Sequence, residues 1–452
     1  MRVAIIGTGY VGLTTGVCLA FSGHTVSCLD TDAAKVEALK AGKIPIYEPF
    51  LEELLEEARP NLTFTTSYPE AIPGSEVVFI AVGTPPTPSG APNLEFLSQA
   101  ARSIAQHMSP GFTVVVNKST VPIGSGNWVD SLLRDSVSGR ADKEEVHFAV
   151  ASNPEFLREG SALHDSLYPD RIVIGADESK ALEIMYTLYR PILDQTFSAP
   201  TYLPRPEGTG AVPLLSSDLA SAELIKYAAN AFLALKVSFI NEIGLVAERV
   251  GADISEVARG IGLDSRIGPR FLSAGIGWGG SCFGKDTAAL IATAGEYGLH
   301  LPIVESARKI NSRQRDRVVE KLLNELKLLK GRTIGLLGLA FKPNTDDLRE
   351  APAIEIAQKL IDRGVRVKAH DPIAMERFQK EHGNMGVVLC ETPESVAAGS
   401  DALVLVTEWT EYRDLDWEAV AKSMRSAFLL DGRHFLEEEK VTKAGFRFET
   451  LG

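Results

Sequence analysis

Residues 275–286 read GIGWGGSCFGKD, and the cysteine in this run is the first residue whose type and setting suggest chemistry. Glycine at 275, 277, 279 and 280 opposes a regular helix and lets backbone approach a ligand closely. A structural cysteine more often sits as a small apolar residue in a helix or strand. Cys282 instead stands at a loop-to-helix junction just before Lys285 and Asp286, where nearby positive charge favours the thiolate. A thiolate there is a usable nucleophile. Lys226 and Asn230 form a second candidate pair, spaced i, i+4 on one face of a largely apolar helical stretch. A lysine there either lifts its ammonium to water at an edge or acts as a functional cation, and these residues alone lean to the former.

Gly7-Thr8-Gly9-Tyr10-Val11-Gly12 follows a strand pattern and opens a helix. Gly7 would make the tight turn, Gly9 would admit a pyrophosphate, and Gly12 would let helix and strand pack closely. The helix N-terminus adds partial positive charge for the phosphates. Asp30 ends the second strand, where a carboxylate accepts from a ribose 2′-hydroxyl and repels a 2′-phosphate, so NAD is expected rather than NADP. Lys35 slightly weakens that preference. Further strand-ending loops carry Gly83-Thr84, Ser119-Thr120 and Asn153-Pro154-Glu155. Each could be a plain turn, but ligands of open α/β sheets lie at the carboxyl ends of the strands, so a shared crevice is expected.

The elements that must hold these residues are legible as period and punctuation. Strands are expected at residues 3–6, 25–29, 62–65, 77–82, 113–116, 146–151 and 171–174, mostly separated by helical patterns, as in a parallel doubly wound sheet. Residues 198–217, rich in Pro, Gly and Ser, read as a linker or exposed loop. A helix over 218–250 follows, starting at Ser216, Ser217 and Asp218, stopping before Gly251, and spanning about 50 Å. It is expected to bridge domains and to contribute to a dimer interface, with shorter helices to about residue 325. A second α/β block has strands at 333–337, 365–369, 402–406 and, last, 427–430, with a helix near 351–363. The fold class is therefore α/β: two Rossmann-like doubly wound domains (1–200 and 326–452) joined by a helical middle domain (201–325) with a long central helix.

With 452 residues, two or three domains are expected. A net charge of -13 disfavours nonspecific binding to nucleic acid or anionic membrane. Cys18, Cys28, Cys282 and Cys390 are too scattered for a disulfide framework, which points to a reducing cytoplasm. No metal-ligand spacing, uninterrupted apolar run of membrane length or leader-like start is found, so neither metal nor membrane is expected.

Taken together, GTGYVG, STVP, NPEFLREG, ELIKYAANAF, GGSCFGKD, GLAFKPNTDDLRE and DGR, in this order, resemble the UDP-glucose/GDP-mannose dehydrogenase family over nearly the whole chain. The resemblance implies a four-electron, NAD-dependent oxidation of a nucleotide-sugar alcohol to a carboxylate, with UDP-glucose as the first expectation and GDP-mannose or UDP-N-acetylmannosamine as alternatives. It makes Cys282 the nucleophile, with Lys226, Asn230 and Asp286 around the reacting carbon and Thr120 and Glu155 holding the catalytic water. Cofactor contacts would come from Gly7, Gly9, Tyr10, Val11, Gly12, Asp30, Lys35, Gly83, Thr84, Thr120, Glu159, Lys285 and Arg349. Glu155, Phe156, Leu157, Lys226, Asn230, Arg266, Phe271, Gly279, Phe283, Lys342 and Arg433 would bind the nucleotide sugar, Arg266 reaching a neighbouring subunit of a homodimer or larger homo-oligomer. Position 284 is glycine where the family usually has proline or glutamine. Two rivals remain: a one-step dehydrogenase, which would release one NADH per substrate, and a silent NAD-binding scaffold, which would lack Cys282, Lys226 or Asp286.

Overall fold

In the computed structural model, which describes residues 1–85, 87 and 91–452, the apolar runs become strands of two sheets. The first contains β1 (Arg2–Ile6), β2 (Thr25–Leu29), β3 (Leu62–Thr65), β4 (Val77–Ile80), β5 (Gly111–Asn117), β6 (Val146–Ser152), β7 (Ile172–Ala176) and β8 (Leu214–Ser217). Their order is β3-β2-β1-β4-β5-β6-β7-β8, with β1 to β6 parallel. β4 reads VVFI and is buried throughout, because helices cover both faces of a parallel sheet. Val3 and Ile5 pack with Leu13 and Val17 on one face, while Ala4 and Ile6 pack with Ala101 and Ile104 on the other.

Two expectations are corrected at the far edge of this sheet. β7 runs antiparallel to β6, so the sheet is mixed rather than wholly parallel. Residues 198–217 are not all linker: Leu214–Ser217 pairs parallel with β7, Ile172 facing Leu214, and Ile172 N donates to Pro213 O at 2.9 Å. Proline and serine hide this strand from composition, yet an edge strand tolerates them because one of its sides needs no ladder partner.

The long helix covers Leu219–Val250. Asp218 caps it, one carboxylate oxygen accepting from Ser221 N at 2.8 Å and the other from Ser221 Oγ at 2.7 Å. Gly251, at φ +74°, ends it. By length and composition it is also the one helix among the described residues able to cross a membrane. It nevertheless carries buried Glu223, Lys226, Asn230 and Asn241, as an internal helix does. The helices that follow are Ile254–Gly262, Phe283–Glu296 and Pro302–Leu326. All three are shorter than the long helix, as expected, and the last, with 25 residues, ends at Leu326.

The second sheet contains β9 (Thr333–Leu337), β10 (Arg366–His370), β11 (Val388–Leu389), β12 (Ala402–Leu405), β13 (Phe428–Asp431) and β14 (Arg447–Thr450). Its order, β11-β10-β9-β12-β13-β14, is wholly parallel and repeats the winding of β1 to β6. β11 and β14 were not anticipated. β11 has two residues, and β14 reads RFET, an edge strand with three of its four residues polar. The chain forms two compact units, residues 1–228 with 288–297 and residues 229–287 with 298–452, and the division falls within the long helix.

Candidate active site

In the first unit, the loops after β1, β2, β4, β5 and β6 leave the same edge of the parallel strands, bringing together the glycine turn, Asp30, Gly83-Thr84, Thr120 and Glu155. Gly7 has φ +97°, and a Cβ on Gly12 would stand 1.9 Å from Gly7 O, so helix and turn can meet only without side chains. A Cβ on Gly9 would meet nothing within 4 Å, which leaves the room a pyrophosphate needs beside the helix N-terminus. Asp30 Oδ2 accepts from Thr8 N at 2.9 Å, Thr8 Oγ1 at 2.7 Å and Lys35 Nζ at 3.0 Å, while Oδ1 accepts from Asp32 N at 3.1 Å. Burial opposes ionisation of Asp30, but these bonds outweigh it and hold the carboxyl below its usual range. The turn and an ionised acid at the end of β2 fit a dinucleotide with a free ribose hydroxyl.

The Tyr10 hydroxyl pairs with Glu48, and Gly160 N donates to that hydroxyl at 2.8 Å. Glu48 also accepts from Gly160 N and Ala162 N, both at 2.6 Å, so it fastens the loop that carries Glu159. Glu48 was not recognised from sequence, and its backbone partners, Gly160 and Ala162, lie over a hundred residues away.

Glu155, buried after β6, accepts from Lys226 Nζ at 2.9 Å and from Leu157 N at 2.9 Å. Lys226 is 4% exposed, which rules out the edge-lysine reading. Its ammonium also lies 5.4 Å from the centre of the Phe156 ring, over which Arg171 stacks. Lys118, also missed, donates to Asn153 Oδ1 at 3.0 Å. Burial lowers its pKa to about 8, Glu155 opposing that shift and Lys226 adding to it. Thr120 is held through its carbonyl, which accepts from Thr84 Oγ1 at 3.0 Å.

In the second unit, Cys282 is half-buried and immediately precedes the helix Phe283–Glu296. Its carbonyl accepts Asp286 N at 2.8 Å, closing the first turn, and its Sγ lies 3.6 Å from Ser281 Oγ. Cys18 and Cys28, by contrast, are fully buried, and burial pushes both thiols up to about 12. Asp286 is buried, one turn beyond Cys282. Its Oδ2 accepts from Asn230 Nδ2 at 2.6 Å. Lys285 Nζ lies 3.2 Å from Oδ1, yet among the described residues that oxygen accepts no hydrogen bond. An acceptor without a hydrogen bond, one turn from a thiol, can take a proton from water or an alcohol.

Phe271, held at φ +64°, packs on Phe283, which in turn meets Trp278 edge-on. Gly279 touches the backbone at Glu350, where a Cβ would stand 2.4 Å from the carbonyl oxygen. The Glu350 carboxylate lies in the space a Cβ at position 284 would take, so a side chain there would require that carboxylate to move. Lys342 stands beside the Phe341 ring. Arg349 forks onto Asp347, with bonds of 2.8 Å from Nε and from Nη2. Arg433 donates to Val406 O at 2.7 Å, Gly277 O at 2.9 Å and Phe341 O at 3.1 Å, so it ties the glycine loop to the second sheet. Arg266 stands apart, exposed and paired with Asp264. Among the described residues no group of His, Cys, Asp and Glu is arranged to hold a metal.

Comparison with known proteins agrees with this geometry. The chain matches the UDP-glucose/GDP-mannose dehydrogenase family in its NAD binding domain over residues 1–193, its central domain over 220–313 and its UDP binding domain over 335–438. UDP-glucose 6-dehydrogenase TuaD of Bacillus subtilis (strain 168) is 44% identical over 453 residues, covering 100% of this chain and 93% of the relative. UDP-glucose 6-dehydrogenase of Rhizobium meliloti (strain 1021) is 45% identical over 459 residues, covering 100% and 99%. Among solved structures, a UDP-glucose dehydrogenase from the archaeon Pyrobaculum islandicum superimposes with a TM-score of 0.89 at 39% identity, covering 100% of this chain and 97% of that one. A UDP-D-ManNAc dehydrogenase from Pyrococcus horikoshii gives 0.83 at 28% identity, covering 100% and 99%. A full set of matched domains, with the glycine turn, Cys282 and Asp286 in place, makes this chain a member of the UDP-glucose/GDP-mannose dehydrogenase family.

Proposed function

We propose that the chain is a UDP-glucose 6-dehydrogenase, converting the sugar's primary alcohol to a carboxylate with two NAD. The observation that carries this reading is buried Asp286, oriented by Asn230, one helical turn from the half-buried Cys282. Full-length relatives bearing that name support the choice of sugar.

NAD, held by Gly7, Gly9, Gly12 and Asp30 with the backbone of Tyr10 and Val11, supplies the hydride acceptor. The ledger is one alcohol, one water and two NAD in, one carboxylate, two NADH and three protons out. Asp286, directly or through water, takes the hydroxyl proton as the first hydride leaves, giving the aldehyde. The Cys282 thiolate adds to the aldehyde carbon as a thiohemiacetal, and loss of the second hydride leaves a thioester. Water deprotonated at Asp286, and held by Glu155 and Thr120, attacks the thioester, returning the thiolate and freeing the carboxylate. Lys226, which pairs with Glu155, is assigned the positive charge that a developing oxyanion requires.

Phe156, Leu157, Phe271, Gly279, Phe283, Lys342 and Arg433 are assigned to the nucleotide sugar, and Gly83, Thr84, Thr120, Lys35, Glu159, Lys285 and Arg349 to the cofactor. The division at 1–200, 201–325 and 326–452 follows the same reading. The exposed Phe232, Phe239, Val246 and Val250 of the long helix support a homodimer, since an apolar stripe of this kind is normally covered. Exposed Arg266 is then available to a neighbouring subunit's substrate. Four cysteines outside any disulfide support a cytoplasmic setting.

The test supplies purified protein with NAD and, separately, UDP-glucose, GDP-mannose and UDP-N-acetylmannosamine, counting NADH. Two NADH per UDP-glucose, with a clear preference for that sugar, is expected. One NADH, or preference for another sugar, overturns the assignment.

A further inference from the structure

Glu223 is a buried carboxylate that the scheme above does not use. It lies three residues before Lys226, one turn back on the same helix. Its Oε2 accepts from Gly124 N at 2.6 Å and its Oε1 from Gly126 N at 2.8 Å. Gly124 caps the helix Ser125–Ser138, in a left-handed conformation at φ +93°. Without Glu223 those first-turn N–H groups would lack partners. The contact is close: a Cβ on Gly126 would stand 3.0 Å from Leu219 Cδ2 and 3.3 Å from Glu223 Oε1, so these side chains would have to give way.

The stretch Glu223 grips is the continuation of the Thr120 loop. At its near end that loop is fixed to the neighbouring strand end, Ser119 Oγ donating to Val82 O at 2.6 Å and Thr84 Oγ1 to Thr120 O at 3.0 Å. Within it, Ser125 N donates to Pro122 O at 3.0 Å. At its far end the loop meets the long helix through Glu223. Burial pushes the Glu223 carboxyl up to about 7, and the two backbone N–H groups pull the other way.

We propose that Glu223 is a positioning residue that sets the distance between the Thr120 loop and Lys226 by clamping Gly124 and Gly126 to the long helix. The proposal rests on the reading of Thr120 and Lys226 as groups at the reacting carbon. A misplacement of about 1 Å at such groups can cost about 100-fold in rate, so an anchor one turn away has leverage on chemistry.

Wild-type turnover of UDP-glucose is measured first, so that failure of the dehydrogenase reading shows there and not in a variant. Glu223→Ala is then expected to lower kcat by about 10–100-fold, with KM for NAD within about twofold of wild type. Glu223→Gln, which keeps one acceptor for one of the two N–H groups, is expected to recover part of that loss. Hydrogen exchange at the amides of Gly124 and Gly126 should quicken in step with the fall in kcat. Gly126→Ala leaves the carboxylate intact but pushes the loop away, so it should lower kcat in the same manner and serves if Glu223→Ala does not fold. A folded Glu223→Ala or Gly126→Ala with kcat within about twofold of wild type overturns the proposal, as does a loss confined to KM for NAD.

Discussion

Asn230 Nδ2 donates to Asp286 Oδ2 at 2.6 Å, so the amide four residues after Lys226 is directed at a buried carboxylate. In the proposed scheme Asn230 thus orients the base. Asn230→Ala is therefore expected to lower kcat by about 100-fold and to destabilise the fold by about 1–3 kcal/mol, the cost of an unsatisfied buried acceptor. Asn230→Asp should be worse on both counts, because it sets two carboxyl groups against each other. Steady-state kinetics and urea titration of both variants give the comparison.

The buried Glu155–Lys226 pair predicts a separation of stability from activity. Lys226→Met strands a buried carboxylate, a loss of about 3–5 kcal/mol. Adding Glu155→Gln should restore most of that stability, because the uncompensated charge is gone, while activity stays low. Denaturant midpoints of the single and double variants, with NADH production beside them, provide the check.

Asp30 is held ionised against the Thr8 backbone and hydroxyl. Asp30→Ala removes the charge that repels a 2′-phosphate and releases Lys35 from its 3.0 Å pair. The ratio of kcat/KM for NADP to that for NAD should rise by at least about tenfold. An unchanged ratio would show that Asp30 does not face the ribose.

Lys118 supplies a pH dependence with a definite sign. Burial lowers its pKa to about 8, below that of a lysine in the unfolded chain. Between that value and the unfolded value of about 10.4, the unfolded state binds more protons, so this group makes stability rise with pH across the window. Lys118→Met should flatten that rise between about pH 8 and 10. Thermal midpoints of wild type and variant over the range are compared directly.

What could be read from the sequence was what is local in the chain. The glycine turn, Asp30 and the Cys282 loop depend on neighbours a few residues apart, and their spacing carries the geometry. The Glu155–Lys226 pair joins residues 71 positions apart, and Glu48 reaches more than a hundred residues to Gly160, so no periodicity could announce either. β8 escaped because proline and serine obscure an edge strand, and the antiparallel course of β7 leaves no mark in a single apolar run. Glycine at position 284 leaves space that the Glu350 carboxylate takes, a relation between distant residues that local spacing does not show.

The central claim, covalent catalysis at Cys282, is tested most directly by counting NADH from UDP-glucose with wild type and with Cys282→Ala. Wild type should yield two NADH per sugar, while the variant can pass only the first hydride and should show no steady-state turnover to the carboxylate, because the aldehyde cannot become a thioester. Two NADH per UDP-glucose from Cys282→Ala, at the wild-type rate, would contradict the account.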